Sequence, residues 1–569
     1  MYFPKLTKSG SFHSSRRSFL MAGTAGLAAA SPLIAQTENE PGVGGLPEKL
    51  KGVNYTDIRS AIEMGCTSMS SVFNKDDHDI PFFASEVWPH AQLRWNPNHS
   101  ESHVPGRHLN ALLTAEATIG LKVSDEVITK GEYAAFFSYS GALPLPLNRE
   151  TINGKPVRFL PHNLREGFHA LYALVRYRNS SKAKELAEKS IDTINRLWNP
   201  DKGWNKIEIE RRGVTLLEWN SPFITGIARS IGPLVKYYRA TKYSPALQLA
   251  SALKEKALTH FFNEDGHYNT EEFGTHVHST TCVMSSLAQL ADLMQDAFLM
   301  NRVKVFYDHG LKAISDDNGW SIENSGPSAN PDRGEANNTG DILETSLILG
   351  KWGYPGSYEK AERILRSHLL PCQLRDVSFI KDPSNPQDED GKRKVAERHR
   401  GAFGFPAPYG HMPVSVKNIS FNMDIVGGAV GSLCEAFKQC ITTGEAGPRV
   451  NLLFDHETES ALVRSPYTHG ILEVQSKKQG ALSVRLPSWT DRQTVEITGA
   501  PSKPWFEGEY MFLPGLAPGT KVVIRFELAR RDTILQHRTR KIKVRMQGDR
   551  VLAMDHFRQP LCYFDPLDL

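Results

Sequence analysis

Long hydrophobic runs are absent from this sequence of 569 residues. A helix that crosses a membrane needs roughly 20 consecutive apolar residues, and every apolar stretch here is shorter or is broken by charged residues. We therefore predict a protein without a membrane anchor.

A strong net charge is also absent. The formal charge of +4 depends on four basic residues in residues 1–35, a segment that contains no acid, and without that segment the net charge is zero. A neutral protein has no general electrostatic attraction for nucleic acid or for anionic membranes. We predict neither as a partner.

Paired cysteines are missing as well. The six cysteines form no CxxC pair, and their spacing does not match a zinc ribbon. We predict buried free thiols, with one disulfide as an alternative. We predict neither a metal nor a cofactor.

The first 35 residues have the pattern of an export signal. Ser15-Arg16-Arg17-Ser18-Phe19-Leu20 precedes a weakly apolar stretch that is rich in Ala and Gly, which is typical of a twin-arginine signal. We expect cleavage after Ala30 or Ala35 and a periplasmic or extracellular location. Residues 36–55 are polar and predict a linker.

Apolar helical runs recur after the linker. They begin near His108, Asn163, Phe223, Ser279, Asp341 and Asp424. Amphipathic segments follow most of them, at 183–198, 246–261, 301–314 and 358–370. Repetition about every 55 to 60 residues predicts an (α/α)6 toroid of helical hairpins over residues 56–446. A polar insertion at 373–415 is expected to cover one end of the barrel.

The composition and the hydrophobic pattern of the sequence change near Gly447. Short runs rich in β-branched residues alternate with turn signals every 8 to 12 residues. This pattern predicts an antiparallel β-sandwich over residues 447–569. The fold class is therefore mainly α, with a toroid followed by a sandwich.

Polar residues gather where the inner helices are predicted to begin. The N-terminal ends of such helices converge at one end of a toroid, so these side chains are expected to meet there. The candidates for substrate binding are His103, Arg107, His162, Asn163, Arg165, Glu218, Trp219, His276, His278 and Asp424. Trp88, His90, Trp95 and His108 are further candidates in the loop-rich segment 56–106, where local packing is the alternative.

Three carboxylates within ten positions, Glu335, Asp341 and Glu344, are the candidates for catalysis. Asp341 and Glu344 also have the spacing of a capping box, as do Asn163 and Glu166, so helix capping is the alternative for these residues. Glu335 lies in a Gly/Asn-rich stretch that we interpret as a loop, and it is the preferred general acid.

Two histidines raise the alternative of a metal site. His276 and His278 alternate along the chain and are expected to point to the same side. With Glu344 they could form a ligand set, but two His without a convincing third ligand do not predict a metal.

The stretch GEANNTGDILETS and the segment Arg485-Leu486-Pro487-Ser488-Trp489 resemble motifs of the glycoside hydrolase family 127 β-L-arabinofuranosidases. The resemblance covers about 400 residues and includes the order of toroid and sandwich. It implies that Glu335 matches the family's general acid/base and that Glu344 matches a glutamate of its zinc site.

The chain departs from that family at its cysteines. Ser346 stands where the resemblance implies a zinc-binding cysteine, and Gly427 and Gly428 stand where it implies a cysteine pair that includes the nucleophile. Cys434 lies about two helical turns further along. A mechanism through a cysteinyl-sugar intermediate is therefore not expected.

Three functions fit these observations. The leading hypothesis is a glycoside hydrolase for plant or algal poly- or oligosaccharides, with Glu335 as acid and Glu344, Asp341, Glu218 or Asp424 as the second carboxylate. The second is a polysaccharide lyase for uronate-containing glycans, for which Tyr409 and the His, Asn and Arg candidates would suit. The third is a carbohydrate-binding relative without activity.

Overall fold

The computed structural model describes residues 45–538 and 540–567. The predicted export signal and the first part of the predicted linker lie outside these residues. The α-helices, in chain order, are α1 (Ile58–Met69), α2 (Val104–Ile119), α3 (Asp125–Ser138), α4 (Leu164–Arg178), α5 (Ser181–Leu197), α6 (Lys206–Arg211), α7 (Ile231–Thr241), α8 (Ser244–His260), α9 (Thr270–Phe273), α10 (Val277–Met294), α11 (Ala297–Asp308), α12 (Ala336–Lys351), α13 (Ser357–Ile364), α14 (Val395–His399), α15 (Asp424–Gln439) and α16 (Pro466–His469).

The inner wall of the barrel is a closed ring of α2, α4, α7, α10, α12 and α15. Each packs on the next, and α15 packs back on α2. Outside the ring, α3, α5, α8, α11, α13 and α1 each pack mainly on one inner helix. The predicted (α/α)6 toroid is confirmed.

Sequence chemistry separates the inner helices from the outer ones. Helix α10 is buried almost all round and consists largely of small and apolar residues. Helix α5 buries residues only at helical spacing, such as Ala183, Ala187, Ile191 and Ile194. A helix that is buried all round belongs inside, and one with a single apolar stripe covers it.

Two glycines allow the inner helices to approach closely. A methyl group at Gly106 in α2 would lie 1.8 Å from the carbonyl oxygen of Glu166 in α4. A methyl group at Gly428 in α15 would lie 1.9 Å from Oδ1 of Asn337 in α12. Gly428, at a position where the resemblance implied a cysteine, therefore lies against the side chain of Asn337, which a larger residue would have to displace.

The strands are β1 (Phe73–Asn74), β2 (Ile80–Pro81), β3 (Ala84–Trp88), β4 (Gln92–Arg94), β5 (Leu147–Arg149), β6 (Pro156–Phe159), β7 (Trp198–Asn199), β8 (Gly203–Trp204), β9 (Thr215–Leu216), β10 (Ile419–Asn422), β11 (Ile441–Gly444), β12 (Gly447–Val450), β13 (His456–Glu457), β14 (Ala461–Arg464), β15 (Leu472–Ser476), β16 (Gly480–Arg485), β17 (Glu496–Thr498), β18 (Trp505–Glu507), β19 (Tyr510–Leu516), β20 (Lys521–Arg525), β21 (Arg530–Gln536), β22 (Lys541–Gln547) and β23 (Arg550–Met554). Those before β11 form small sheets among the barrel loops.

The C-terminal region contains the predicted β-sandwich. One five-stranded sheet has the order β11-β12-β16-β19-β18 and the other has the order β13-β14-β15-β20-β17. Their facing sides share an apolar core that includes Val450, Leu482, Val474 and Ile524. One pair, β12 with β16, is parallel; the other strand pairs of these two sheets are antiparallel.

The last three strands depart from the prediction that the sandwich runs to the C-terminus. Strands β21, β22 and β23 form a separate sheet. Its residues Leu535, Ile542 and Val544 pack into the core of the barrel rather than into that of the sandwich. Residues from Gly45 onward form one compact unit, so the boundary at residues 446 and 447 stays a prediction.

The predicted insertion at 373–415 passes over the end of the barrel where the inner helices begin. The amide of Gly334 donates to the carbonyl of Pro406, and the amide of Ala336 donates to that of Gly404. These bonds hold the insertion against the start of α12.

All six cysteines are buried as free thiols. Among the described residues, none of the helices combines the length and the hydropathy that crossing a bilayer requires.

Candidate functional site

The N-terminal ends of the inner helices bring most of the predicted polar residues together. His103 and Arg107 belong to the start of α2, His162 and Asn163 precede α4, and His276 and His278 flank the start of α10. Glu335 precedes α12 and Asp424 opens α15. Because the ring is closed, the six helix starts surround one polar cluster.

Glu335 occupies the N-cap position of α12, whereas the sequence predicted a loop at this position. Its side chain makes no capping bond and instead accepts a hydrogen bond of 3.0 Å from Nδ2 of Asn337. It is 6% exposed. Burial, together with the negative charges of Glu323 and Asp424, raises the pKa of Glu335 to about 8. The carboxyl group is therefore largely protonated at neutral pH.

His278 lies between two of the candidate carboxylates. Its Nδ1 is 3.7 Å from Oε1 of Glu335, and its Nε2 is 3.4 Å from Oδ2 of Asp341. Nη2 of Arg107 donates to Nε2 at 2.9 Å. Burial, followed by the charge of Arg107, holds the pKa of His278 well below its usual range, so this imidazole is neutral.

Asp424 and His103 form a second pair. Nε2 of His103 donates to Oδ2 of Asp424 at 3.1 Å, and its Nδ1 lies 3.0 Å from Oδ1 of Asn163. Burial alone would raise the pKa of Asp424, but the hydrogen bond from His103 outweighs it and holds the pKa below its usual value. Oδ1 of Asp424 is buried without a hydrogen-bond partner in the described part of the protein. Asp424 therefore supplies an ionised carboxylate with one free oxygen.

A cluster of buried ion pairs around Glu166 lies beneath these residues. Glu166 is fully buried, and its oxygens lie 2.9 Å from Arg229, 3.2 Å from Arg107 and 3.4 Å from Arg165. Burial opposes ionisation, but the guanidinium groups and His103 hold the pKa of Glu166 well below its usual range. The cluster ties α2 and α4 to the short 3-10 helix Ile227–Ser230 that precedes α7.

Aromatic rings form the outer side of the site. The ring of His162 stacks parallel to His103, with centroids 5.6 Å apart, and lies 4.3 Å from Trp219 and 5.1 Å from His276. Trp219 is 36% exposed. Burial gives His276 a pKa of about 3. The surface that faces solvent here is a tryptophan flanked by neutral imidazoles, which suits the apolar face and hydroxyl rim of a sugar.

Glu344 lies deeper in the barrel than Glu335, where it lines the interior together with Arg165 and Asp341, and its interpretation as part of a capping box is wrong. Helix α12 begins at Ala336, five residues before Asp341, so the capping box does not form. Glu344 lies further along the helix, accepts a hydrogen bond of 2.8 Å from Ser285, and lines a cavity of about 500 Å³ with Lys236 and Lys438 at the opposite end of the barrel.

Asp341 is buried in the cluster but is fully engaged. Arg165 lies 3.3 Å from Oδ1, and Thr281 donates to Oδ2 at 3.0 Å. Burial raises the pKa of Asp341 to about 6, even though Arg165 opposes the shift. Its contacts fit a residue that positions Arg165 and His278.

Several other sequence interpretations need correction. Arg165 is bound by Glu166 and Asp341, and Asn163 orients His99 and His103 rather than facing solvent. Glu166 and Asn163 form no capping box, because the side chain of Asn163 makes no capping hydrogen bond at the start of α4. Glu218 is exposed beside Trp219 and has no hydrogen bond or ion pair with the described residues of the cluster.

Three candidates from outside the helix starts have local structural contacts. Tyr409, a proposed base for a lyase, donates to Asp332 at 2.9 Å, outside the polar cluster. Nε1 of Trp95 donates to Glu101, and Nε2 of His108 donates to the carbonyl of Met423.

Sequence reasoning missed Arg229, His99 and Asn337. Arg229 is fully buried in an apolar run. A lone arginine in such a run indicates a buried acidic partner, so the sequence alone could have predicted a role for Arg229. His99 stacks on Phe83 at 4.4 Å, and Asn337 bonds Glu335; no sequence pattern marked either.

The cysteine-based zinc site that the resemblance implies does not fit. Ser346 is buried and donates to the carbonyl of Ser357, where α13 begins, and Gly428 is held between helices. A different set of donors is present: side-chain ligand atoms of His276, His278 and Glu335 lie within 4.8 Å of one another. Two imidazoles and a carboxylate could hold a divalent cation.

The fold is similar to those of solved glycoside hydrolase structures. A GH127 β-arabinofuranosidase superposes with a TM-score of 0.51 at 12% identity, over 89% of this chain and 84% of the other. A GH127 β-L-arabinofuranosidase from Geobacillus stearothermophilus T6 gives a TM-score of 0.50 at 12% identity, over 87% and 80%. A further glycoside hydrolase gives 0.50 at 11% identity, over 90% and 83%.

No protein-family model matches the sequence, and no curated protein sequence matches it. At 11–12% identity the structural likeness establishes the fold. The resemblance drawn from the GEA and RLPSW motifs is thus confirmed at that level: the chain is a distant structural relative of the GH127 β-arabinofuranosidases.

Proposed function

We propose that this protein is a glycoside hydrolase for plant or algal poly- or oligosaccharides, with Glu335 as the general acid. The observation that carries the proposal is a buried carboxyl group with a pKa of about 8 at the mouth of the barrel. A general acid must hold its proton at the working pH and release it to the leaving oxygen. We propose a periplasmic or extracellular location from the twin-arginine pattern.

Asp424 is the proposed second carboxylate. It is ionised, it opens the inner helix next to α12 in the ring, and one of its oxygens has no partner in the described part of the chain. In hydrolysis, Glu335 gives its proton to the glycosidic oxygen. Asp424 takes a proton from water, and the oxygen of that water bonds to the anomeric carbon as the bond between that carbon and the protonated leaving oxygen breaks. We propose Asp424 rather than Glu344 for this role because Glu344 lies deeper in the barrel, eight residues after the start of α12.

Trp219 is the proposed stacking surface for the sugar. Trp219 is 36% exposed, and the centroid of its ring lies 4.3 Å from that of His162. His276 beside it presents polar nitrogen to the hydroxyl rim of the sugar. Their position at the solvent side of Glu335 and His278 would hold the glycosidic bond over the acid.

The pH profile of kcat/KM should reflect these two carboxyl groups. Activity requires Glu335 protonated, so it should fall as the pH rises through about 8. It should persist well into the acid range, because His103 lowers the pKa of Asp424. Glu323→Gln removes a charge that raises the pKa of Glu335, and the alkaline limb should then move to lower pH. An unchanged limb in this variant would contradict the assignment.

Metal dependence gives a second check. Glu335 cannot donate a proton while it binds a cation, so we expect chelators to leave turnover unchanged. Added Zn²⁺ should inhibit by occupying His276, His278 and Glu335. His276→Ala should weaken this inhibition relative to the variant's own activity without zinc. Loss of activity on chelation that zinc restores would show instead that a metal is required.

Product analysis separates the candidate functions. Incubation with neutral and uronate-containing glycans should release reducing ends without the ultraviolet absorbance of an unsaturated uronide. That absorbance would identify a lyase. A lyase needs a cation for the uronate carboxylate, and Arg107, Arg165 and Arg229 are all bound to Glu166. Binding without any product would identify the inactive carbohydrate-binding alternative.

A further inference from the structure

The outer face of one sandwich sheet carries a row of side chains that the catalytic proposal does not use. Cross-strand pairing places Thr442, Arg449, Ser483, Phe512 and Trp505 side by side on β11, β12, β16, β19 and β18. We call this row the aromatic shelf. Adjacent strands are about 4.8 Å apart, so the shelf spans about 19 Å.

The shelf begins where the contact between sandwich and barrel ends. On the same face, Arg485 is fully buried and bound to Glu362, and Tyr510 donates to Asn451. One step further along the strands, Trp505 is 49% exposed and Arg449 is exposed. The sheet thus extends past the barrel and presents its outer face to solvent.

The chemistry of the shelf is both aromatic and polar. The rings of Trp505 and Phe512 lie 4.4 Å apart at an angle of 39° and form one continuous apolar surface. Arg449 lies over the ring of Tyr510 at 4.9 Å and has no acidic partner among the described residues. Ser483 places a hydroxyl between the rings and the guanidinium group. Ring faces bind C–H groups, and the polar members can bind hydroxyl or carboxylate groups.

A protein partner fits this surface less well. A stable protein interface covers about 800 Å² on each side, and two aromatic side chains supply less than that even when fully covered. Strand β18 has only three residues, between Pro504 and Gly508. Short edge strands of this kind resist pairing with another chain.

We infer that the aromatic shelf is a non-catalytic binding site for a polysaccharide chain. Sugar rings stack on Trp505 and Phe512, and Arg449 and Ser483 bind hydroxyl or carboxylate groups along the chain. The site lies outside the barrel mouth and does not depend on the proposed role of Glu335. Its effect is to hold the protein on a polymer.

Affinity electrophoresis of the full chain in native gels tests this inference, with soluble arabinan as the neutral probe and polygalacturonate as the acidic probe. We expect at least one of the two to retard the wild-type protein. Trp505→Ala should weaken binding at least tenfold, and Trp505→Phe should keep part of it. The matched control is Phe298→Ala, which removes a ring that is 61% exposed on α11 and should not change mobility. Arg449→Gln should weaken retardation by polygalacturonate more than by arabinan.

Two further measurements separate this site from the catalytic one. Trp505→Ala should leave turnover of a short soluble substrate unchanged, and Glu335→Gln should keep full retardation. Equal retardation of wild type and Trp505→Ala, or no retardation by either polymer, would overturn the inference. So would a change of molecular mass in light scattering for Trp505→Ala, because the shelf would then be a contact between copies of the chain. Full activity of Glu335→Gln would refute the catalytic proposal and leave the shelf intact.

Discussion

Replacing Glu335 by Gln should reduce turnover by about 10²- to 10⁴-fold, which is the usual contribution of a general acid. The amide keeps the shape of the side chain and can still pair with Asn337, which bonds Oε1 at 3.0 Å. It cannot supply a proton to the leaving oxygen. Because the buried carboxyl group is already largely neutral near pH 7, the substitution removes little charge, and the thermal midpoint should stay close to that of the wild type.

The turnover of Glu335→Gln should be measured on substrates that differ in their leaving group. A substrate with a good leaving group needs little protonation, so Glu335→Gln should impair it much less than a natural glycoside. Glu218→Gln is the control, since it removes an exposed carboxylate beside Trp219 with no hydrogen bond or ion pair to the described residues of the cluster. It should retain nearly full activity. If Glu335→Gln hydrolyses natural glycosides at the normal rate, Glu335 is not the acid.

The helical repeat was the most predictable part of this protein. The spacing of apolar residues predicts that α10 is buried on all sides and that α5 has a single apolar stripe. That spacing does not fix the first residue of a helix. The polar stretch before Asp341 reads as a loop, yet residues 336–340 form the first turn of α12, because tertiary packing against α10 and α15 overrides local preference.

This boundary error explains the mistake at Glu344. At a rise of 1.5 Å per residue, the eight positions from Ala336 to Glu344 place Glu344 about 12 Å along the axis from the start of α12. The sequence therefore predicted that Glu335, Asp341 and Glu344 lie together at the helix start, while the longer helix places Glu344 deeper in the barrel than Glu335. The convergence of His103, His162, His276 and Asp424 was predictable, because it follows from topology alone. Which of these side chains contact one another was not predictable, because the contacts depend on the directions of side chains from several helices.

The separate C-terminal sheet shows the same limit for strands. The alternation in β21 to β23 predicts strands correctly but does not say which surface they cover. Leu535, Ile542 and Val544 pack into the core of the barrel, and no local pattern distinguishes that core from the core of the sandwich.

Replacing Glu166 by Gln should cause the largest loss of stability, about 3–5 kcal/mol. The side chain is fully buried and faces Arg107, Arg165 and Arg229. Gln keeps the volume but removes the only charge that all three guanidinium groups share. Asp341 continues to pair with Arg165, which leaves Arg107 and Arg229 without an acidic partner in the described structure. An uncompensated buried charge costs more than the original pair contributed.

Chemical denaturation at pH 7 measures this loss, and Glu185→Gln is the matched control. Glu185 forms an exposed pair with Lys189, and its removal should leave the midpoint unchanged. Burial opposes ionisation of Glu166, but the guanidinium groups hold its folded pKa well below the ordinary value of 4.5. The difference between wild type and Glu166→Gln should therefore be complete above pH 4.5 and shrink as the pH falls below it. A variant as stable as the wild type at pH 7 would show that the arginines find other partners, and that Glu166 does not hold α2, α4 and the segment before α7 together beneath the site.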